Sequence, residues 1–313
     1  MGVNGSAVVA LLFPGQGSQY VGMGQDLQAS HPAARAVFEE ADEVLGFALS
    51  KLCAEGPESE LVETHNAQPA ILVHSIAVYR CVKEAIGEVA FGAGHSLGEF
   101  SAWIAAGSLP FANGLRTVRR RGELMRSRGQ DRPGTMAALL GLDDDRIDTI
   151  CRQASETGGE VVAANYNAPG QTVISGDVPT LERAIELAKA AGAKRAIRLN
   201  VSGAFHSPLM RTAQAGFAEQ LGRVSFKRPS FPVVSNVSAQ PVTDPVTVRR
   251  LLEAQLTSPV RWADSIRTMR SAGATKFIEL GPGSVLTGLL RRIDREAEGM
   301  AIGTSEEVTA FSG

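Results

Sequence analysis

Short apolar runs that end at glycine alternate with stretches of helical periodicity along most of the chain. Ala7 to Phe13 (AVVALLF) is continuously apolar and stops at Pro14-Gly15-Gln16-Gly17, the pattern of a buried strand running into a tight loop. Between Pro32 and Leu45 apolar residues recur at helical spacing, at Ala33, Val37, Ala41 and Val44, with acids between them. Pro69 precedes the strongly apolar segment Ala70 to Val82, which predicts a buried helix with proline at its first position. Ala90 to Ala93 reads as a strand entering Gly94-His95-Ser96-Leu97-Gly98, and Glu99 to Ala106 as the helix behind that turn.

From about residue 130 the rhythm changes. Thr135 to Leu142 reads as a strand, Asp144 to Thr157 as a helix, and Val161 to Asn165 and Gln171 to Ser175 as two strands around Asn-Ala-Pro-Gly. Val178 to Ala191 follows as an amphipathic helix and Lys194 to Leu199 as a strand. The order βαββαβ is the ferredoxin-like split pattern, which predicts a small subdomain over 131–204 inserted into a larger α/β domain formed by 1–130 and 205–313. Phe231 to Ser235 and Lys276 to Leu280 read as further buried strands, and a polar tail begins near Thr304.

Composition narrows the class. The 313 residues are 44% apolar and 20% charged, ordinary for a folded globular chain. A net charge of −2 gives no electrostatic footprint for nucleic acid. The three cysteines, Cys53, Cys81 and Cys151, are odd in number and lack CxxC spacing, which argues against a disulfide framework or a zinc site and for reduced thiols. No signal peptide and no apolar stretch of membrane-spanning length is seen, so a cytoplasmic protein is expected.

The chemistry concentrates at Gly94-His95-Ser96-Leu97-Gly98. The GxSxG pattern between strand and helix matches a nucleophile elbow, in which a sharp turn lifts the serine hydroxyl out of the sheet and leaves the next backbone N–H at a helix N-terminus, suited to an oxyanion. Alone the motif is short enough to arise by chance, and a glycine-rich turn without chemistry is the plain alternative. A serine needs a base, and five histidines are available. His31 and His65 precede expected helix starts, as capping or surface residues. His74 lies inside the apolar helix as a satisfied core histidine, and His95 adjoins Ser96 with its side chain turned away, in a supporting role. His206, in Ala-Phe-His-Ser-Pro just after the expected insertion, is the base by elimination. Gln16, flanked by Gly15 and Gly17, offers a second oxyanion donor beside Leu97; a phosphate loop is disfavoured because neither GxGxxG nor GxxxxGK[ST] is present. On the expected helix from Ala112 to Ser127, Arg121 shares a face with Val118 and Met125, where an arginine either snorkels or meets a buried anion.

Taken together the motifs resemble the malonyl-CoA:acyl carrier protein transacylases of fatty-acid and polyketide synthesis. The matching pieces are FPGQGSQ at 13–19, AQPA at 67–70, GHSLGE at 94–99, RRRGELM at 119–125, AANYNAPGQ at 163–171, GAFHSP at 203–208, QLTSPVRW at 255–262 and IELGPG at 278–283. The resemblance implies an α/β hydrolase-like parallel-sheet core, with Ser96 as acyl-carrying nucleophile and His206 as its base, oriented by a backbone carbonyl at Gln255 rather than by a carboxylate. It implies the N–H groups of Gln16 and Leu97 as oxyanion hole, Arg121 as the partner of a malonyl carboxylate, and Asn165 on the cleft; His95 and Met125 join the substrate-binding set. Leu97 and Phe205 are the pair carried by similar enzymes that use malonyl. The implied substrate is the CoA thioester malonyl-CoA, with no bound metal or redox cofactor, and the implied partner is phosphopantetheinylated acyl carrier protein. Neither nucleic acid nor membrane is expected, and a monomer is the default. A malonate decarboxylase acyltransferase subunit, a serine thioesterase or hydrolase, and a non-catalytic carrier-binding module are the alternatives.

Overall fold

The structure is a computed structural model that describes residues 7–131, 133–201 and 203–313. The first six residues of the expected larger domain, and residues 132 and 202 of the expected insertion, lie outside the described residues. Two sheets are built from β1 (Val9–Phe13), β2 (Val89–Gly94), β3 (Gly134–Leu140), β4 (Val161–Ala168), β5 (Gln171–Asp177), β6 (Arg195–Arg198), β7 (Val233–Val234), β8 (Pro241–Val242), β9 (Lys276–Leu280) and β10 (Glu298–Ile302).

The larger sheet has the order β10-β9-β1-β2-β7-β8 and is parallel except for the β7–β8 pair. β1 is buried along its whole length, as expected of a strand in a parallel sheet covered on both faces. Phe13 pairs with Gly94, so β1 and β2 end at the same level, and the loops that leave them emerge side by side at the carboxyl edge.

The second sheet is antiparallel, in the order β4-β5-β3-β6. Its strands are apolar on both faces, and the period of two divides those residues between two cores. Ala137, Leu139, Ala163 and Ile174 face the helices Asp144–Ser155 and Val178–Ala190, while Met136, Ala164 and Val173 join the core of the larger sheet. Asp143 and Asp177 cap those helices, their carboxylates accepting from Arg146 N and Thr180 N. The two units are stitched by backbone: Tyr166 N donates to Val260 O at 3.0 Å and Val260 N to Ala164 O at 2.8 Å.

Four sequence expectations change. Pro69 lies inside the helix Thr64–Ile86 rather than at its start. Its ring removes the N–H that would have bonded His65 O, and Arg119 Nη1 donates to that carbonyl instead, at 2.9 Å. His65 is accordingly in the helix, not before it. The polar tail is the helix Ser305–Ser312, started by a capping box of Thr304 and Glu307 and preceded by the edge strand β10. His74 is buried, but neither ring nitrogen has a partner among the described residues, so it is not satisfied. Among the described residues no helix is long and apolar enough to cross a membrane.

Burial holds His74 neutral and pushes its proton affinity down to about 4 from an ordinary 6.5. The unfolded chain therefore binds an extra proton between those values, and stability drops as pH falls through that window, by on the order of 3 kcal/mol at its lower end. In His74→Leu this term is gone. Urea denaturation of the variant at pH values across the window should show a shallower decline than the parent shows.

Candidate active site

Ser96 occupies the turn between β2 and the helix Gly98–Ala105 with φ 53, in the left-handed region that a non-glycine residue rarely adopts. The neighbours make that conformation reachable. A Cβ on Gly94 would collide with the Gly98 carbonyl group, and a Cβ on Gly98 with the Phe13 carbonyl oxygen, so both must be glycine for turn, strand and helix to approach. His95 N donates to Phe13 O at 2.9 Å and ties the turn to β1.

His206, also left-handed at φ 56, is 2.8 Å from the serine, Nε2 to Oγ. Its Nδ1 meets the backbone carbonyl oxygen of Gln255 at 2.9 Å. A carbonyl can only accept, so Nδ1 carries the proton and Nε2 presents a lone pair to the serine O–H. Burial, and after it the Arg121 charge, lowers His206 to about 3.

Arg121 has no solvent exposure. Nη1 donates to Gln68 Oε1 at 2.7 Å, and Nη2 to Gln255 Oε1 at 2.9 Å and to Ser96 Oγ at 3.1 Å. These acceptors are all neutral. Its Nε–H has no acceptor among the described residues, and burial lowers the guanidinium to about 10.

A cavity of about 520 Å³ opens on this cluster, lined by Ser96, His206, Arg121, Gln16, Leu97 and Asn165 among others. Phe205, Met125 and His95 also reach it. Met125 Sδ accepts from Gln68 Nε2 at 3.5 Å, and Asn165 sits where β4 bridges to Val260. His95 Nε2 lies 2.8 Å from Asn167 Oδ1, and its ring stands tilted against Trp262. All ten residues singled out in the sequence thus converge on one cavity or, for Gln255, on the groups that line it. A larger opening of about 1090 Å³ beside Asp148 and Tyr166 shares no lining residue with this cavity, and its Cys151 thiol is pushed up to about 12 by burial. That thiol is no nucleophile at neutral pH.

A family profile described as acyl transferase domain matches residues 10–305. The chain belongs to the acyl transferase family. Among the relatives, the malonyl CoA-acyl carrier protein transacylase of Bacillus subtilis is 47% identical over 96% of this chain and 95% of its own. The Escherichia coli enzyme of that name is 44% identical over 91% and 92%. An acyl carrier protein S-malonyltransferase from Vibrio cholerae superposes with a TM-score of 0.92 at 42% identity, covering 96% of this chain and 99% of its own. A malonyl-transacylase solved in complex with a type II PKS acyl-carrier protein superposes at 0.94 and 39% identity, covering 98% and 99%.

In this member of the acyl transferase family, four polar residues that sequence reasoning left without a role complete the site. Asn236 Oδ1 accepts the Ser96 N–H at 2.7 Å while its Nδ2 donates to Gly94 O at 2.7 Å, clamping the strained turn. Gln68 orients Arg121, Asn167 holds His95, and Glu99 receives Gln255 Nε2 at 2.7 Å and Asn236 N at 3.1 Å. Gln68, Glu99 and Asn167 sit in motifs already picked out, AQPA, GHSLGE and AANYNAPGQ, and a polar residue inside such a motif was the available signal. Asn236 had none, because it enters from a two-residue strand. Asn236→Ala leaves a buried N–H and a buried C=O unpaired and should cost about 2–4 kcal/mol. Chemical denaturation measures the loss, which an equally buried asparagine outside the site would not accompany with a displaced Ser96.

Proposed function

We propose that this chain transfers a malonyl group from malonyl-CoA, through an ester on Ser96, to the phosphopantetheine thiol of an acyl carrier protein. The observation that carries the reading is Arg121: a cation without solvent, hydrogen-bonded only to neutral acceptors, whose Nη2 reaches the same Oγ that His206 Nε2 faces. Such a group in a cavity suits an acyl chain that ends in a carboxylate. A serine hydrolase with the same turn would leave it without a task. The names of the relatives agree.

In the first half-reaction His206 Nε2 takes the Ser96 proton as Oγ attacks the thioester carbonyl. We read the turn as a nucleophile elbow, supported by the left-handed Ser96 and the two obligate glycines. Asn236 already occupies the Ser96 N–H, so the Leu97 N–H at the head of the helix, with that of Gln16 across the cavity, is left to receive the oxyanion. The C–S bond breaks and CoA leaves with the proton from His206. The carrier thiol then gives its proton to His206, attacks the ester carbonyl, and Ser96 recovers its proton as the C–O bond breaks. Residues 131–204 are read as a ferredoxin-like insertion, supported by the β4-β5-β3-β6 order, and the cavity as the space between it and the rest. The three free cysteines support the expected cytoplasmic setting.

Arg121→Ala should lower malonyl transfer on the order of 100-fold more than acetyl transfer, since a buried charge pair is lost only for malonyl. Equal losses on both substrates, measured as kcat/KM, would sink the carboxylate assignment. Labelled malonyl-CoA without acceptor should leave its label on the peptide bearing Ser96, and none in Ser96→Ala. The pH profile follows from His206 at about 3. A base works in its neutral form, and its proton affinity is depressed, so kcat/KM should persist well below 6.5 as pH falls. An acid limb centred near the ordinary histidine value would contradict this.

A further inference from the structure

Among the described residues Glu99 is the one carboxylate in this polar cluster, and the reaction above gives it no step. It stands in the first turn of the helix Gly98–Ala105, 1% exposed, directly behind the nucleophile. Oε2 accepts from Gln255 Nε2 and from Asn236 N, whereas Oε1 has no donor among the described residues. The Trp103 indole lies close on the same helix without closing a hydrogen bond.

We propose that Glu99 is a positioning residue that fixes the Gln255 side chain against Arg121, and that it takes up a proton from solvent when a malonyl carboxylate arrives at Arg121. The second half rests on the malonyl reading above.

The first half follows from the amide. Gln255 Nε2 faces Glu99 and the Ser96 carbonyl, at 2.7 and 3.1 Å, and this turns Oε1 toward Arg121 Nη2. The flipped amide would set oxygen against carboxylate and NH2 against guanidinium, so the two charges together leave one orientation. The same residue supplies the carbonyl that holds His206 Nδ1. Glu99 therefore acts on the base and on the cation through Gln255, without touching either.

The second half follows from charge. Arg121, on the helix Phe111–Asp131, is the charged group that acts on Glu99. The other elements present neutral groups: Asn236 after β7, Gln255 after the helix Pro245–Ala254, and Trp103 on its own helix. Burial lifts Glu99 to about 7, opposed by the hydrogen bonds from Asn236 and Gln255, by the nearby Trp103 indole and, least of these, by the pull of Arg121. The carboxylate is thus close to the point where one further anion tips it. A malonyl carboxylate brings that anion and engages the cation that favoured ionisation; an acetyl group brings none. The change is one proton added at Oε1, the oxygen without a donor, so that Oε2 still accepts from Gln255 and Asn236 and the amide keeps its orientation.

The test mixes the enzyme with malonyl-CoA or acetyl-CoA, without acceptor, in weak buffer containing a pH indicator. Protons are counted against CoA thiol released, so ionisation of the thiol, common to both substrates, cancels. Malonyl loading should take up a sizeable fraction of a proton per ester at ~pH 8 and little at ~pH 6, where Glu99 is already protonated. Acetyl loading should take up none, and Glu99→Gln should abolish the malonyl excess. Equal counts for malonyl and acetyl overturn the proposal, as does an excess that survives in Glu99→Gln. Where that variant folds poorly, the parent enzyme still decides, because a malonyl excess as large at ~pH 6 as at ~pH 8 overturns the assignment to Glu99. Failure of malonyl-CoA to release thiol at all is a different result, and falls on the malonyl reading instead.

Discussion

A guanidinium removed from water, as Arg121 is, survives only where hydrogen-bond acceptors replace its hydration shell, because the uncompensated penalty is several kcal/mol. Its acceptors come from widely separated segments: Gln68 from one helix, Gln255 from the end of another, Ser96 from the turn after β2. Each must be delivered to within hydrogen-bond distance of one planar group. The helix that carries Arg121 comes this close to the helix of Gln68 because Gly122 lies against the His65 backbone, where a Cβ would stand 2.7 Å from the His65 Cα. Pro69 contributes by freeing the His65 carbonyl, which Arg119 fills from the neighbouring turn. Arg119 and Arg121, two residues apart, thus divide the work, one joining the two helices and the other placing a charge in the cavity.

The same cluster carries the backbone strain of the site. Ser96 and His206 both hold left-handed conformations, at a cost of order 1–3 kcal/mol each, and both are pinned by groups that belong to the network around Arg121. Asn236 clamps the turn at both ends, and Gln255 binds the Ser96 carbonyl with its side chain and His206 with its backbone. Strain and charge are therefore held by the same few side chains.

Much of this was legible in sequence because it is local. GHSLGE announces its own turn, and the switch from a continuous apolar run to βαββαβ rhythm marks the second sheet within a few residues. Arg121 showed through its helical spacing with Val118 and Met125. What stayed hidden depends on tertiary placement. Pro69 read as a helix start because nothing local reveals that Arg119 will satisfy the carbonyl it frees. The Ser305–Ser312 helix read as a tail because its polar face masks one buried residue, Val308. Asn236 and the pairing of Glu99 with Gln255 arise from contacts across more than a hundred positions, which spacing cannot express.

The absence of a carboxylate behind His206 then has an electrostatic reason. A carboxylate in place of the Gln255 carbonyl would hold the imidazole equally well, but it would add a second anion to a buried cluster that already holds Glu99. That added negative charge would oppose a carboxylated acyl group entering the same low-dielectric site. A carbonyl orients the ring through Nδ1 while leaving the charge of Arg121 available. Glu99, one amide further back and poised near neutrality, tempers that charge without saturating it. On the malonyl reading, the base is weakened first by burial and then by the same buried cation that draws the substrate in. On that same reading, the two proposed oxyanion donors and the neutral, correctly tautomeric His206 supply what a stronger base would otherwise provide.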